Sequence, residues 1–197
     1  MKDREVRTFP LETRKNDDGT LTITGHPAVF NSRSVDLGGF VEQIAPGAFQ
    51  ETLGKEPDVV FLINHQDLPL ARTSSGTLAL KESKDGLRMS ATVDPEDPDV
   101  KRLMPKMKRG DLTKGSFAFR TLEDAWDEVD GVAVRTLLKV DLDGGDVSIV
   151  THPAYRETDV SLAKRGLESW RAERQEHAGD DVPVEVHQQH LALEAKA

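Results

Sequence analysis

The sequence predicts an α+β protein that is mainly β. Period-two alternation of apolar and polar residues recurs in short segments along most of the chain. Turn sequences separate those segments, among them Asn16-Asp17-Asp18-Gly19, Lys84-Asp85-Gly86 and Val129-Asp130-Gly131. Helical spacing appears in only a few stretches. A chain of 197 residues can bury one proper core. The expected division is a folded domain over residues 1–165, then a C-terminal helix and flexible tail over residues 166–197.

Arg4 to Phe9 alternates, and Leu21 to Gly25 resumes the alternation after the Asn16–Gly19 turn, which predicts two strands. His26 precedes Pro27 and reads as an extended, structural histidine. A Gly/Ser loop from Asn31 to Gly39 leads to a short strand, Phe40 to Ile44. Pro46 then opens a short helix that stops near Gly54. Asp58 to Ile63 forms a continuous apolar run, the mark of a strand buried on both faces. It ends at Asn64-His65, so a histidine emerges where a core strand reaches the surface. That is a place where scaffolds mount catalytic groups, and also where a histidine simply caps a strand.

Thr77 to Leu80 and Gly86 to Val93 predict a hairpin around Lys84-Asp85-Gly86. Val100, Leu103, Met104 and Met107 fall at helical spacing, with Pro105 expected to kink or divide the helix. Gly110 closes it. Gly115-Ser116-Phe117-Ala118-Phe119-Arg120 alternates again, with Phe117 and Phe119 directed into a core and Ser116, Ala118 and Arg120 to the outer face. A serine mounted so rigidly suits a nucleophile, but an outer-face serine is also ordinary. Arg120 reads better as an ion-pair residue than as a catalytic one. Trp126 to Leu138 belong to a hairpin turning at Asp130-Gly131. From Asp146 to His152, alternation puts Asp146, Ser148, Val150 and His152 on one strand face. Val160 to about Ala178 reads as a terminal helix. The polar remainder, residues 179–197, is expected to be mobile; its His187 and His190 receive no role.

No cysteine is present, which rules out disulfides, thiolate zinc sites and a cysteine nucleophile. A net charge of −9 argues against general affinity for nucleic acid. No apolar run approaches the ~20 residues needed to cross a bilayer, and the first residues lack the apolar core of a signal peptide. Ser, His and an acid are what acyl transfer requires, and the order His65, Ser116, Asp146 is permitted, because chain order varies between unrelated folds.

Five segments together resemble the prohead (procapsid maturation) proteases of tailed phages in the HK97-like group. They are Gly25–Phe30, Glu42–Phe49, Asn64-His65, Arg109–Phe119 and Asp146–Ala154. They follow the family's order and spacing over about residues 20–160. The resemblance implies a serine endopeptidase with a fold similar to herpesvirus assembly proteases, a closed β-barrel flanked by a few helices. It maps the nucleophile onto Ser116, the general base onto His65 and the third member onto Asp146, where the family more often shows Glu. In the herpesvirus relatives the third member is a second histidine, which makes His152 the alternative. Backbone N–H groups near Lys114 to Phe117 are the expected oxyanion donors, with Arg156 as a supporting candidate.

No cofactor and no metal are expected. The partners implied are the major capsid protein and scaffold, both as substrates, with no nucleic acid and no membrane; a homo-oligomer is left open. The implied location is the host cytoplasm, inside the assembling procapsid, with self-processing through the mobile tail. Two other readings compete: a catalytically inactive assembly scaffold factor of the same fold, and a generic β-barrel binding module. The second explains neither the order of the matching segments nor the Gly-Ser-Phe strand.

Overall fold

Alternation and turns give ten strands and three helices in a computed structural model, which describes residues 5–151 and 161–180. The elements are β1 (Glu5–Lys15), β2 (Leu21–Val29), β3 (Val41–Ile44), α1 (Gln50–Gly54), β4 (Val60–Ile63), β5 (Gln66–Arg72), β6 (Leu78–Ser83), β7 (Gly86–Val93), α2 (Pro98–Arg109), β8 (Lys114–Val129), β9 (Val132–Asp141), β10 (Asp146–Val150) and α3 (Ser161–Asp180). The chain separates into a compact unit over residues 1–162 and a second over residues 163–197 that contains most of α3.

Eight strands follow one another across a curved sheet in the order β5-β4-β10-β8-β1-β2-β7-β6. The sheet curls until β5 lies against β6 and β7, which makes a β-barrel that is nearly closed. Most pairs are antiparallel, but β10 runs parallel to β4, with Asp146 beside Val60 and Ser148 beside Leu62. Strand β8 is shared between two sheets. Its first residues pair with β1 and β10 in the barrel wall, and the rest forms a hairpin with β9, to which β3 adds in parallel. No helix among the described residues is long and apolar enough to cross a membrane.

Apolar side chains on the inner face of the wall make the core. Phe9, Phe61, Phe117, Phe119, Val147 and Ile149 are all buried there. Phe9 lies across two glycines of neighbouring strands, Gly115 on β8 and Gly25 on β2. A Cβ on either would come within 2.5 Å of the ring, so both positions must stay bare. We expect Gly115→Ala to cost about 1–3 kcal/mol, an overpacking effect, and to displace the strand at the residue before Ser116. Chemical denaturation would measure the loss, and an unchanged unfolding midpoint would refute this account of the glycine.

Helix α2 is a single element through Pro105, where the sequence predicts a kink or a division. Pro105 is exposed, so water can take the place of the amide it fails to offer to Lys101, and the loss is confined to one bond. The ends are secured by Asp97, which accepts from the amides of Asp99 and Val100, and by Gly110 at a left-handed φ of 83°. Strand β5 has no counterpart in the sequence reading. Its Pro69 and the exposed Leu68 break the alternation that would announce it. Helix α3 continues to Asp180, slightly past the expected end. The tail beyond it lies outside the described residues.

A buried ionic cluster ties β1, β3 and β9 together, with no precursor in the sequence reading. Arg135 donates to Glu5 at 2.7 Å and to Glu42 at 3.0 Å, and Arg7 donates to both carboxylates at 2.7–2.9 Å. Burial alone would raise the Glu5 pKa, but the hydrogen bonds and charges of Arg135 and Arg7 hold it below its ordinary 4.5. A carboxylate with a depressed folded-state pKa contributes stability that is fully present above its unfolded pKa and is lost as pH falls through the folded one. The protein should therefore lose stability below about pH 4.5, and Glu5→Gln should flatten that acid slope. At neutral pH the same change should cost about 1–3 kcal/mol, because it removes one carboxylate from a buried cluster in which Arg135 keeps Glu42 and Asp124 as partners. Thermal unfolding of both proteins across pH 3–7 checks both points; parallel curves would contradict them.

Candidate active site

Three of the residues singled out in the sequence, Ser116, His65 and Asp146, converge on the outer face of the barrel wall. Phe117 pairs with Val147, both on the inner face, so the neighbouring pair Ser116 and Ser148 faces outward. Thr8 stands on the far side of Ser116, and Leu62 on the far side of Ser148. Asp146, two residues before Ser148 on β10, shares that face.

His65 reaches it from the turn between β4 and β5. Asn64 and His65 both adopt positive φ, 51° and 61°, as a two-residue type I′ hairpin demands, and Ile63 pairs with Gln66 across it. Positive φ is uncommon for any residue but glycine, although asparagine and histidine are among those that adopt it most often. The turn is also held from outside. The Asn64 amide donates to the Ile149 carbonyl at 2.8 Å. The Asn64 side-chain oxygen accepts from the Thr151 amide at 2.9 Å and from its hydroxyl at 3.2 Å. The His65 amide donates to the Ser148 hydroxyl at 3.2 Å. The hairpin tip is stitched to β10 at both of its residues.

That stitching brings the imidazole onto Asp146. His65 Nδ1 and Asp146 Oδ2 stand 2.6 Å apart, with the histidine side chain 24% exposed and the aspartate 8%. The Ser148 hydroxyl also donates to Asp146 Oδ2. Asp146 thus accepts from two side chains at one oxygen, and a carboxylate so placed holds Nδ1 protonated and leaves Nε2 with the lone pair. Two buried polar side-chain atoms among the described residues lack a hydrogen-bond partner, and they are His65 Nε2 and Ser116 Oγ. An orphaned buried hydroxyl and an orphaned buried imidazole nitrogen each cost stability, and such groups concentrate where chemistry needs them.

Several sequence expectations change. Ser116 is completely buried rather than surface-facing, and Ala118 is nearly so, because both faces of this part of β8 are covered. The amides of Gly115 to Phe117 belong to a strand paired on both sides, with β1 and β10, so they point in the sheet plane and not toward the outer face. They do not form the oxyanion site expected of them. Arg120 pairs with Asp141, the ion-pair role that the sequence favours for it. His26 is exposed on β2, next to a β-bulge. His152 and Arg156 lie outside the described residues. Ser148 was missed as a participant, although its place two residues after Asp146 on one strand face was the available signal.

A serine, an imidazole and a carboxylate on one barrel wall, with the acid fixing the ring, are the groups that serine hydrolases use. The chain belongs to the family described as caudovirus prohead serine protease, which matches residues 9–173. It is accordingly a peptidase of the phage head maturation class. Among solved structures it is similar to the capsid assembly protease of bacteriophage T4, at 11% identity and a TM-score of 0.43, over 74% of this chain and 95% of that one. No curated protein matches the chain.

Proposed function

We propose that the protein is an endopeptidase in which Ser116 attacks the scissile carbonyl, His65 accepts its proton through Nε2, and Asp146 holds the imidazole through Nδ1. As the tetrahedral adduct collapses and the C–N bond breaks, the same imidazole gives that proton to the leaving amine. In the second half of the reaction a water, deprotonated by His65, attacks the acyl-serine and releases Ser116. The observation that carries this reading is the His65–Asp146 contact at 2.6 Å, with His65 Nε2 and Ser116 Oγ free of other partners though not hydrogen-bonded to each other. The alternative nucleophile, Ser148, has a committed hydroxyl, since it donates to Asp146 and accepts from the His65 amide.

The substrates we infer are scaffold or the scaffold-like segment of the major capsid protein, cut inside the assembling procapsid in the host cytoplasm, with processing of the enzyme's own tail. An inactive assembly factor of the same fold would be expected to have lost at least one of the three groups, and all three are present.

An organophosphorus fluoride, which phosphonylates activated serines and releases fluoride, tests the assignment without a known substrate. The expected result is one adduct, found on the peptide that contains Ser116 and absent from His65→Ala. An adduct on Ser148, or equal labelling of the His65 variant, would overturn the proposal.

A further inference from the structure

Position 148 is buried, polar and central to the contacts just described, yet the chemistry of acyl transfer assigns it nothing. Its exposure is 0%, and it lies directly opposite Ser116 in the β8–β10 ladder. We propose that Ser148 is a positioning residue: one hydroxyl holds the His65 backbone and the Asp146 carboxylate at the same time. This rests on the proposed roles of His65 and Asp146.

The argument begins with hydrogen counting. A serine hydroxyl has one proton to give and two lone pairs to receive. Here the proton goes to Asp146 Oδ2, and one lone pair takes the His65 amide proton at 3.2 Å. A free carboxylate on a strand swings about its last bond among several positions. A second donor on Oδ2 removes that freedom, so the oxygen that meets Nδ1 is also the one pinned by Ser148. The backbone contact works on the other partner. His65 sits in a turn at φ 61°, a conformation that a non-glycine residue keeps only when its surroundings impose it. Asn64 fastens one half of that turn to β10, and Ser148 fastens the half that bears the imidazole.

Ser148 therefore sets the height and the angle of the ring together, from the strand adjacent to the nucleophile. Misplacing a reacting group by about 1 Å can cost ~100-fold in rate, and loss of a residue that orients a functional group costs 10- to 100-fold where it has been measured at metal ligands. The same cost is expected here.

The test uses the full chain and two readouts. The first is the rate at which an organophosphorus fluoride phosphonylates Ser116. The second is the proton resonance of His65 Nδ1–H, which a short bond to a carboxylate draws far downfield. Ser148→Ala should slow phosphonylation by about 10- to 100-fold and should broaden or shift the resonance upfield. The pair Ser148→Thr and Ser148→Val has matched shape and differs by the hydroxyl, which separates positioning from packing. Threonine should stay within about threefold of wild type and keep the resonance, and valine should behave like alanine. Wild-type rate and an unmoved Nδ1 signal in folded Ser148→Ala or Ser148→Val would overturn the proposal. So would equal loss in the threonine and valine variants, which would make the residue a packing element. Absence of Ser116 labelling in wild type would sink the nucleophile assignment instead, and the Nδ1 resonance would still report on Ser148.

Discussion

Ser116→Ala is expected to abolish cleavage of the capsid or scaffold substrate without harming the fold. The loss in turnover should be on the order of 10⁶, the scale seen when the nucleophile of a serine protease is removed. Stability should move the other way or not at all. The Ser116 hydroxyl is fully buried and has no hydrogen-bond partner, so wild type carries the cost of desolvating it. Alanine removes the hydroxyl and fills almost the same space, which should be neutral or stabilising by about 1 kcal/mol. Substrate cleavage followed by gel, together with thermal unfolding, checks both halves. Retained cleavage by the folded variant would end the nucleophile assignment. A drop of several kcal/mol would mean that the hydroxyl has a structural partner.

Asp146→Asn should be the second-largest effect. The substitution keeps the shape of the side chain but replaces one oxygen by an amino group, which can present a donor where Nδ1–H needs an acceptor. Histidine then favours the tautomer with its proton on Nε2, the nitrogen that has to receive the Ser116 proton. In a Ser-His-Asp enzyme the corresponding change lowers turnover by ~10⁴, and a loss of that order is expected here. His152→Ala is the control. It should be nearly silent if Asp146 orients His65, and the ranking of the two variants would reverse if His152 did so. Comparison of kcat/KM for both variants against wild type decides between them. Unfolding curves should accompany the rates, because Asp146 also accepts from Ser148 and asparagine weakens that bond.

What the sequence determined by itself was local. The β1–β2 hairpin is written in the Asn16–Gly19 turn and the alternation on either side, and the β8–β9 hairpin in Asp130-Gly131, both at positive φ as a type I′ turn requires. The buried run ending at Asn64-His65, the Gly-Ser-Phe strand and the Asp146 strand were likewise legible from period and from likeness to a family. Tertiary structure decided how they meet. Alternation in β8 says that Ser116 and Phe117 face opposite ways, but it cannot say that both faces are covered. Asn64-His65 becomes a tight turn because β5 returns along β4, and β5 is masked in sequence by Pro69 and Leu68. The contacts that organise the site join residues 81 to 83 positions apart, and the ionic cluster joins Arg135 to Glu5 across 130. A hydrogen bond between such distant residues leaves no imprint on local propensity, since neither partner alters the backbone preference of its own segment. Chain folding alone brings them into register, which is why the contact of Ser148 with the His65 amide and the buried arginine–glutamate cluster are visible only in three dimensions.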